Sequence, residues 1–120
     1  MANAALSVQK EVSEAFIAAQ DLSSSVRSLL VQVIEEQLAL TSQTNASGSA
    51  EADFNAIIGG FEPNQAYFLL FCLTEPQDTV FRQEKTWCLF ALVPDSLRPR
   101  QKMLYSSARL PMKAHLGQSL

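Results

Sequence analysis

The sequence predicts an α/β (α+β) domain in which a mixed central β-sheet carries helices on both faces. Segments with apolar residues at helical spacing alternate with pairs of strand-like segments. Two continuous apolar runs, residues 67–73 and 86–93, are typical of strands covered on both faces. A longer helical segment, residues 97–116, ends the series. At 120 residues, the chain is predicted to form one domain over residues 1–120.

The first part of the chain predicts a helix and then a hairpin. Apolar residues at helical spacing predict a helix over residues 7–20 with Ser7 at its start. Alternating apolar and polar residues over 26–40 predict two strands joined by a tight turn at residues 35–37. The small polar residues 41–49 predict a loop.

The middle of the chain predicts a short helix and a second hairpin. Residues 50–58 form the helical pattern, which Gly59 and Gly60 end. Three apolar side chains of this helix are predicted to point inward: Phe54, Ile57 and Ile58. The runs 67–73 and 86–93, joined by the polar connection 74–85, predict two central strands.

The last predicted helix begins after residues 94–96, which are expected to supply its N-cap, and covers residues 97–116. Pro111 lies inside it and predicts a bend, because proline has no backbone N–H to donate to the preceding turn. A helix that stops near Leu110 is the alternative.

Charge is distributed unevenly along the chain. Residues 1–95 hold four basic and twelve acidic residues, a formal charge of −8, whereas residues 96–120 hold five basic residues and no acid, a formal +5. At about 100° per residue, four of these cations should line one stripe roughly 60° wide with Ser106 beside it: Arg98, Lys102, Arg109 and Lys113. The stripe predicts a surface for a negatively charged partner, with a merely solubilising face as the alternative.

Residues 87–95, followed by the Arg100-x-Lys102-Met103-x-Tyr105 start of the last helix, resemble the actin-depolymerising-factor homology domain, the cofilin-like fold. Residues 6–19, 28–40 and 67–71 are similar to the N-terminal helix, first hairpin and central strand of that family. Within it, the sequence is most similar to the first such domain of twinfilins. Relatives continue through another strand and a final helix, so the resemblance implies a domain shortened at its C-terminus.

The resemblance implies binding to actin, chiefly the ADP-loaded monomer, with filament sides or ends as further contacts. The long helix would lodge between two actin subdomains, and the implied result is monomer sequestration or control of filament turnover. The implied actin-binding residues are Arg98, Arg100, Lys102, Met103, Ser106, Arg109, Lys113 and, from the N-terminus, Leu6. Phosphoinositide head groups are implied to compete at Arg100, Lys102, Arg109 and Lys113. A cytoplasmic monomer associated with the cytoskeleton, without a cofactor, is expected.

The chain departs from the family pattern at Pro111 and at Ala114, which stands where a second lysine is usual. Two alternatives therefore stay open: the same fold binding another cytoskeletal partner, or a non-functional shortened form. An enzyme is not predicted, because His115 is the sole histidine and neither Cys72 nor Cys88 has a histidine to activate it. No Cys/His spacing predicts a metal site. Nucleic-acid binding is not expected from a chain with a pI near 5.0.

Overall fold

The computed structural model describes residues 7–74 and 85–116, with backbone alone at 115 and 116. The elements in chain order are β1 (Ser7–Val8), α1 (Lys10–Ala19), β2 (Val26–Ile34), β3 (Gln37–Asn45), α2 (Ala50–Gly59), β4 (Tyr67–Cys72), β5 (Trp87–Leu92) and α3 (Pro99–Leu116). The five strands form one sheet in the order β1-β3-β2-β4-β5. β1 pairs with β3 in parallel and the other neighbours are antiparallel, so the predicted mixed sheet is confirmed. Within the described ranges, α3 is the last element.

Helices cover both faces of this sheet. α1 and α3 pack on one face, where Phe16 of α1 meets the ring of Trp87 edge-on at 5.2 Å between centroids. α2 packs on the other face, where Phe54 meets Phe71 of β4 at 5.2 Å. All six residues of β4 are buried, which confirms the prediction that this apolar run is a strand covered from both sides.

The N-terminal segment differs from its prediction. Ser7 and Val8, predicted as the start of a helix, pair with Gln37 and Leu38 of β3. The N–H of Gln9 also donates to the carbonyl of Leu38 at 2.9 Å, so the backbone stays extended up to the first residue of α1. The predicted capping role of Ser7 is therefore wrong. Gln9 occupies the N-cap position without a capping hydrogen bond from its side chain, whose amide instead donates to the Oε1 of Gln37 at 2.8 Å.

Three further predictions fail, because strand pairing and burial depend on segments that are distant in the sequence. The predicted loop 41–49 is strand up to Asn45, since β3 pairs with β2 through that residue. β5 was predicted to be central and covered on both faces, but it is the last of the described strands in the sheet order and is only partly buried. On α2, Phe54 and Ile57 are half-buried as predicted, whereas Ile58 is 36% exposed and does not point inward.

The predicted turn between β2 and β3 is confirmed. Glu35 and Glu36 both have positive φ, 51° and 63°. Two consecutive residues in this region match the right-handed twist of a two-residue hairpin. The turn carries two adjacent carboxylates to the end of the sheet that lies beside the start of α3.

A buried ion pair, which the sequence analysis did not predict, joins the sheet to α2. Arg27 is 1% exposed and lies at a register irregularity of β2, which turns its side chain toward α2. Its Nε donates to Asp53 at 2.9 Å, and its Nη1 donates to the carbonyl of Cys72 at 2.8 Å. Asp53 also accepts from the N–H and hydroxyl of Ser47 at 3.1 and 2.9 Å. The sequence features that could have indicated this buried ion pair are an arginine within an apolar strand and an aspartate within an apolar helix.

The charge state of Asp53 depends on these contacts. Burial alone would raise the pKa of the Asp53 carboxyl, but hydrogen bonds from Ser47 and Arg27 outweigh burial and hold the pKa below its ordinary value of 3.8. A carboxyl whose pKa is lower in the folded state stabilises the fold above the unfolded pKa. That contribution is lost as the pH falls through the folded pKa.

Replacing Asp53 by Asn should lower the free energy of unfolding by about 3 kcal/mol, because it removes the carboxylate charge that the buried guanidinium of Arg27 contacts at 2.9 Å. The loss of stability of the parent protein below about pH 4 should be shallower in this variant. Urea unfolding at neutral and acid pH measures both effects. Lys10→Ala, which breaks an exposed pair with Glu14, is the matched control and should change stability by less than about 0.5 kcal/mol. An Asp53→Asn variant as stable as that control would contradict the prediction.

Candidate functional site

α3 begins two residues later than predicted. Pro99 is its first residue, a position where the missing N–H of proline costs nothing. The N–H of Lys102 donates to the carbonyl of Arg98 at 3.0 Å, so Arg98 immediately precedes the helix. The N-cap predicted within residues 94–96 is wrong, because residues 95–97 form a turn that places Leu97 against the core.

The rotation of α3 about its axis is set by its buried face. Tyr105, Ala108 and Met112 are buried in the core shared with α1 and the sheet. The hydroxyl of Tyr105 accepts a hydrogen bond from the N–H of Val33 at 3.0 Å. Burial raises the pKa of Tyr105 above its ordinary value of 10.0, and that hydrogen bond opposes the rise only in part. These contacts determine which residues of α3 face outward.

Two large apolar side chains occupy the centre of the outward face. Met103 is 67% exposed and Leu110 is 77% exposed. They are seven residues apart, so they lie almost in line along the helix. Ser106 lies between them and is also exposed. We call the exposed set Met103, Ser106 and Leu110 the apolar ridge.

Three cations line one side of the apolar ridge. Lys102, Arg109 and Lys113 fall within about 40° of one another around the helix axis. Arg109 and Lys113 are exposed and Lys102 is half-buried. No ion pair of these three side chains is seen within residues 7–74 and 85–116. We call them the cationic flank. Arg98 was predicted to belong to the same stripe, but it precedes the first residue of α3, so helical periodicity does not place it on this flank.

Arg100 lies on the opposite side of the ridge from Lys102. Its Nη2 is 3.3 Å from the Oε1 of Glu36 in the β2–β3 turn, and both side chains are largely exposed. An exposed pair of this kind stabilises the fold by at most about 1 kcal/mol, so an acidic side chain of a binding partner can replace Glu36 beside Arg100. Arg100 and Lys102, which the sequence placed together at the helix start, therefore border the ridge from two sides.

Leu6 lies outside the described residues, so its predicted role stays a prediction. β1, which follows it directly, contacts α3. α3 continues through Pro111 to Leu116, so the alternative end near Leu110 is wrong. The bend at Pro111 stays a prediction.

The described part of the chain contains no group of three His, Cys, Asp or Glu side chains that could hold a metal ion. Cys72 is buried, and its thiol lies 3.9 Å from the carbonyl of Thr74. Cys88 is partly buried. None of the described helices has the length and apolar character that a membrane span requires.

Comparison with known proteins agrees with this architecture. The sequence profile of the cofilin/tropomyosin-type actin-binding proteins matches residues 5–119. The chain belongs to this family. It is 29% identical to the twinfilin of Anopheles gambiae over 92 residues and 30% identical to that of Aedes aegypti over 94 residues. These matches cover 76% and 78% of the chain but only 26% of each twinfilin, so the chain spans about a quarter of their length.

Solved structures show the same fold. Eh twinfilin superposes with a TM-score of 0.80 at 22% identity, covering 96% of this chain and 81% of that one. The solution structure of ADF/cofilin from Trypanosoma brucei superposes with a TM-score of 0.68 at 22% identity, covering 96% and 79%. The cofilin-like fold expected from the sequence is confirmed, and the family is one of actin-binding proteins.

Replacing Pro111 by Ala should raise the free energy of unfolding by about 1 kcal/mol. Alanine restores a backbone hydrogen bond inside α3, and the greater freedom of the unfolded chain offsets part of that gain. Urea unfolding with detection by circular dichroism measures the change. Pro99→Ala is the control, since Pro99 at the first helical position lacks no bond, and should have no gain. Equal or lower stability of Pro111→Ala would contradict the prediction.

Proposed function

We propose that this chain binds monomeric actin with the outward face of α3. Membership of an actin-binding family supports actin as the partner. The observation that carries the choice of surface is the apolar ridge, in which Met103 and Leu110 are 67% and 77% exposed, whereas Tyr105 and Met112 of the same helix are buried. An apolar centre with cations at the rim is the usual arrangement of a protein interface.

The different contributions of the apolar ridge and of the cations to binding follow from the exposure of their side chains. Burial of Met103 and Leu110 against a partner would supply affinity, because transfer of apolar surface from water is the main favourable term in association. The cationic flank and Arg100 would attract acidic groups of actin and orient the encounter. The formal +5 charge of residues 96–120 gives this end of the molecule the sign that such steering needs.

The finer features of the proposal come from the family resemblance. ADP-loaded monomeric actin is the preferred partner, with Leu6 and the preceding residues as a second contact beside α3. Sequestration of monomers or control of filament turnover in the cytoplasm would be the outcome. Phosphoinositide head groups would compete for Arg100 and the cationic flank, because each phosphate attracts the same exposed cations.

Met103→Ala and Leu110→Ala should each weaken the binding of ADP-actin monomers about 10-fold, and more together, if the ridge is the centre of the interface. Fluorescence titration of labelled ADP- and ATP-actin with each variant measures the affinities. Ile17→Ala is the matched control: Ile17 is 68% exposed on α1, so its truncation should leave binding unchanged.

Unaltered binding by both ridge variants would show that α3 does not present the actin-binding surface. Absence of binding by the parent chain would instead favour the same fold acting on another cytoskeletal partner.

Arg109→Ala combined with Lys113→Ala should reduce the affinity for actin several-fold, chiefly by slowing association. The salt dependence of binding should also become shallower, since two screened attractions are removed. Stopped-flow association rates between about 50 and 300 mM KCl test this. Lys10→Ala, an exposed lysine on α1, is the control. An affinity of the parent chain that is flat across this salt range would contradict a cationic contact.

Vesicles that contain a phosphoinositide should compete with actin for the parent chain, whereas neutral phosphatidylcholine vesicles should not. The variant that combines Arg109→Ala with Lys113→Ala should co-sediment with the phosphoinositide vesicles several-fold less than the parent chain. Equal co-sedimentation of parent and variant would remove Arg109 and Lys113 from the proposed phosphoinositide site.

A further inference from the structure

Opposite charges from two distant segments meet at the start of α3. The β2–β3 turn carries the exposed side chains of Glu35 and Glu36. Nη2 of Arg100, in the first turn of α3, lies 3.3 Å from Oε1 of Glu36, although the two residues are 64 positions apart in the sequence. No ion pair of Glu35 is seen within residues 7–74 and 85–116. Glu36 is therefore the residue of the turn that contacts the helix proposed to bind actin.

The start of α3 has no acid of its own. Its first turn contains no Asp or Glu, whereas Arg98 directly precedes it and Arg100 and Lys102 lie within its first four residues. The N-terminus of a helix carries a partial positive charge, so anions are favoured there and cations are not. Among the described ion pairs, the one with Glu36 is what brings a negative charge to this end of the helix.

The contact between Arg100 and Glu36 is weak enough to open. The two side chains are 80% and 68% exposed, and a single hydrogen bond, from Nη2 to Oε1, joins them. Water and salt screen an exposed pair of this kind. A guanidinium can also donate two parallel hydrogen bonds to one carboxylate, so Arg100 keeps donors for a second acid. An anion that approaches Arg100 can therefore displace Glu36.

The displaced carboxylate stays close to Arg100. Ile34 and Gln37 pair across the turn, and the positive φ angles of Glu35 and Glu36 fix its two central residues, so the backbone holds Glu36 beside the helix. The charge of Glu36 then remains within about 8 Å, the Debye length at physiological salt, of an anion bound to Arg100. Coulomb repulsion grows with the charge of that anion. A head group with several phosphate charges is therefore repelled more strongly than a single carboxylate.

We propose that Glu36 is a specificity-determining residue of this surface, which disfavours multiply charged phosphate groups at Arg100 and leaves Arg100 to a carboxylate of a protein partner. A partner carboxylate replaces Glu36 by a group of equal charge, so this exchange changes the local charge little. A phosphoinositide head group binds chiefly to the cationic flank, on the opposite side of the apolar ridge. This division of the surface rests on the proposed function, because it assigns separate parts of α3 to the two ligands proposed there.

Isosteric substitution separates the contact from net charge. Glu36→Gln keeps the shape of the side chain but removes the competing charge. This variant should bind phosphatidylcholine vesicles that contain a phosphoinositide about 5-fold more tightly than the parent chain, and ADP-actin monomers at most about 2-fold more tightly. Co-sedimentation measures the first affinity and fluorescence titration the second. Glu35→Gln removes the same charge from the adjacent residue, so it is the matched control and should change vesicle binding less than about 2-fold.

Removal of Arg100 tests whether the gain acts through this contact. In an Arg100→Gln background, Glu36→Gln should raise vesicle binding no more than Glu35→Gln does. Soluble inositol trisphosphate, titrated by calorimetry, should rank the variants as the vesicles do, because Glu36 competes with phosphate and not with lipid. An equal gain with and without Arg100 would reduce the effect of Glu36 to net charge and overturn the proposal. A gain confined to vesicles would overturn it as well.

Failure of this proposal is distinguishable from failure of the proposed function. Vesicle binding that is equal in the parent chain, Glu36→Gln and Glu35→Gln, or absent from all three, would overturn the role of Glu36, while normal actin binding would leave the proposed function standing. A gain of Glu36→Gln on vesicles, with no actin binding by any chain, would support the competition at Arg100 and overturn actin as the partner. A larger gain for actin than for vesicles would contradict the proposed specificity.

Discussion

The packing of α3 against the sheet is the constraint on which the other features of this molecule depend. Tyr105, Ala108 and Met112 are buried, and the hydroxyl of Tyr105 accepts from the backbone of β2 at Val33. This fixes the rotation of the helix, because a small turn about its axis would lift that face out of the core. Consequently Met103 and Leu110 point to solvent, with the cationic flank beside them. One packing interface thus places an apolar surface next to a cationic one.

The opposite face of the sheet is stabilised differently. There, Arg27 and Asp53 form a buried pair whose hydrogen bonds reach residues of β4 and the segment before α2. Such a pair contributes little net free energy compared with apolar packing, but it is costly to break, so it fixes the register of the elements that it joins. Lys85 plays a similar part before β5, where its ammonium donates to the carbonyls of Ala19 and Ser24 at 3.1 and 2.7 Å. Neither group faces the proposed binding surfaces.

Periodic features of the chain could be predicted and non-local ones could not. The turn at Glu35 and Glu36, the buried strand 67–72 and the long last helix each follow from residues close in sequence. Ser7 was misplaced because its partner in the sheet is Gln37, thirty residues away. β5 is as continuously apolar as β4, and only the fold shows that β4 is buried throughout whereas β5 is partly exposed. Arg100 looked like a neighbour of Lys102 in sequence, yet it lies across the helix and contacts Glu36.

The sequence by itself determined the family, the mixed α/β class and the concentration of positive charge in residues 96–120, since composition, periodicity and motif are properties of the linear chain. The tertiary structure decided which side of α3 faces outward. Leu110 and Met112 are both apolar and only two residues apart, but one is 77% exposed and the other is fully buried. It also decided that Trp87 is buried against Phe16, whereas the other residues of β5 are partly or largely exposed. Burial and pairing depend on contacts between distant segments, and those contacts exist only once the chain has folded.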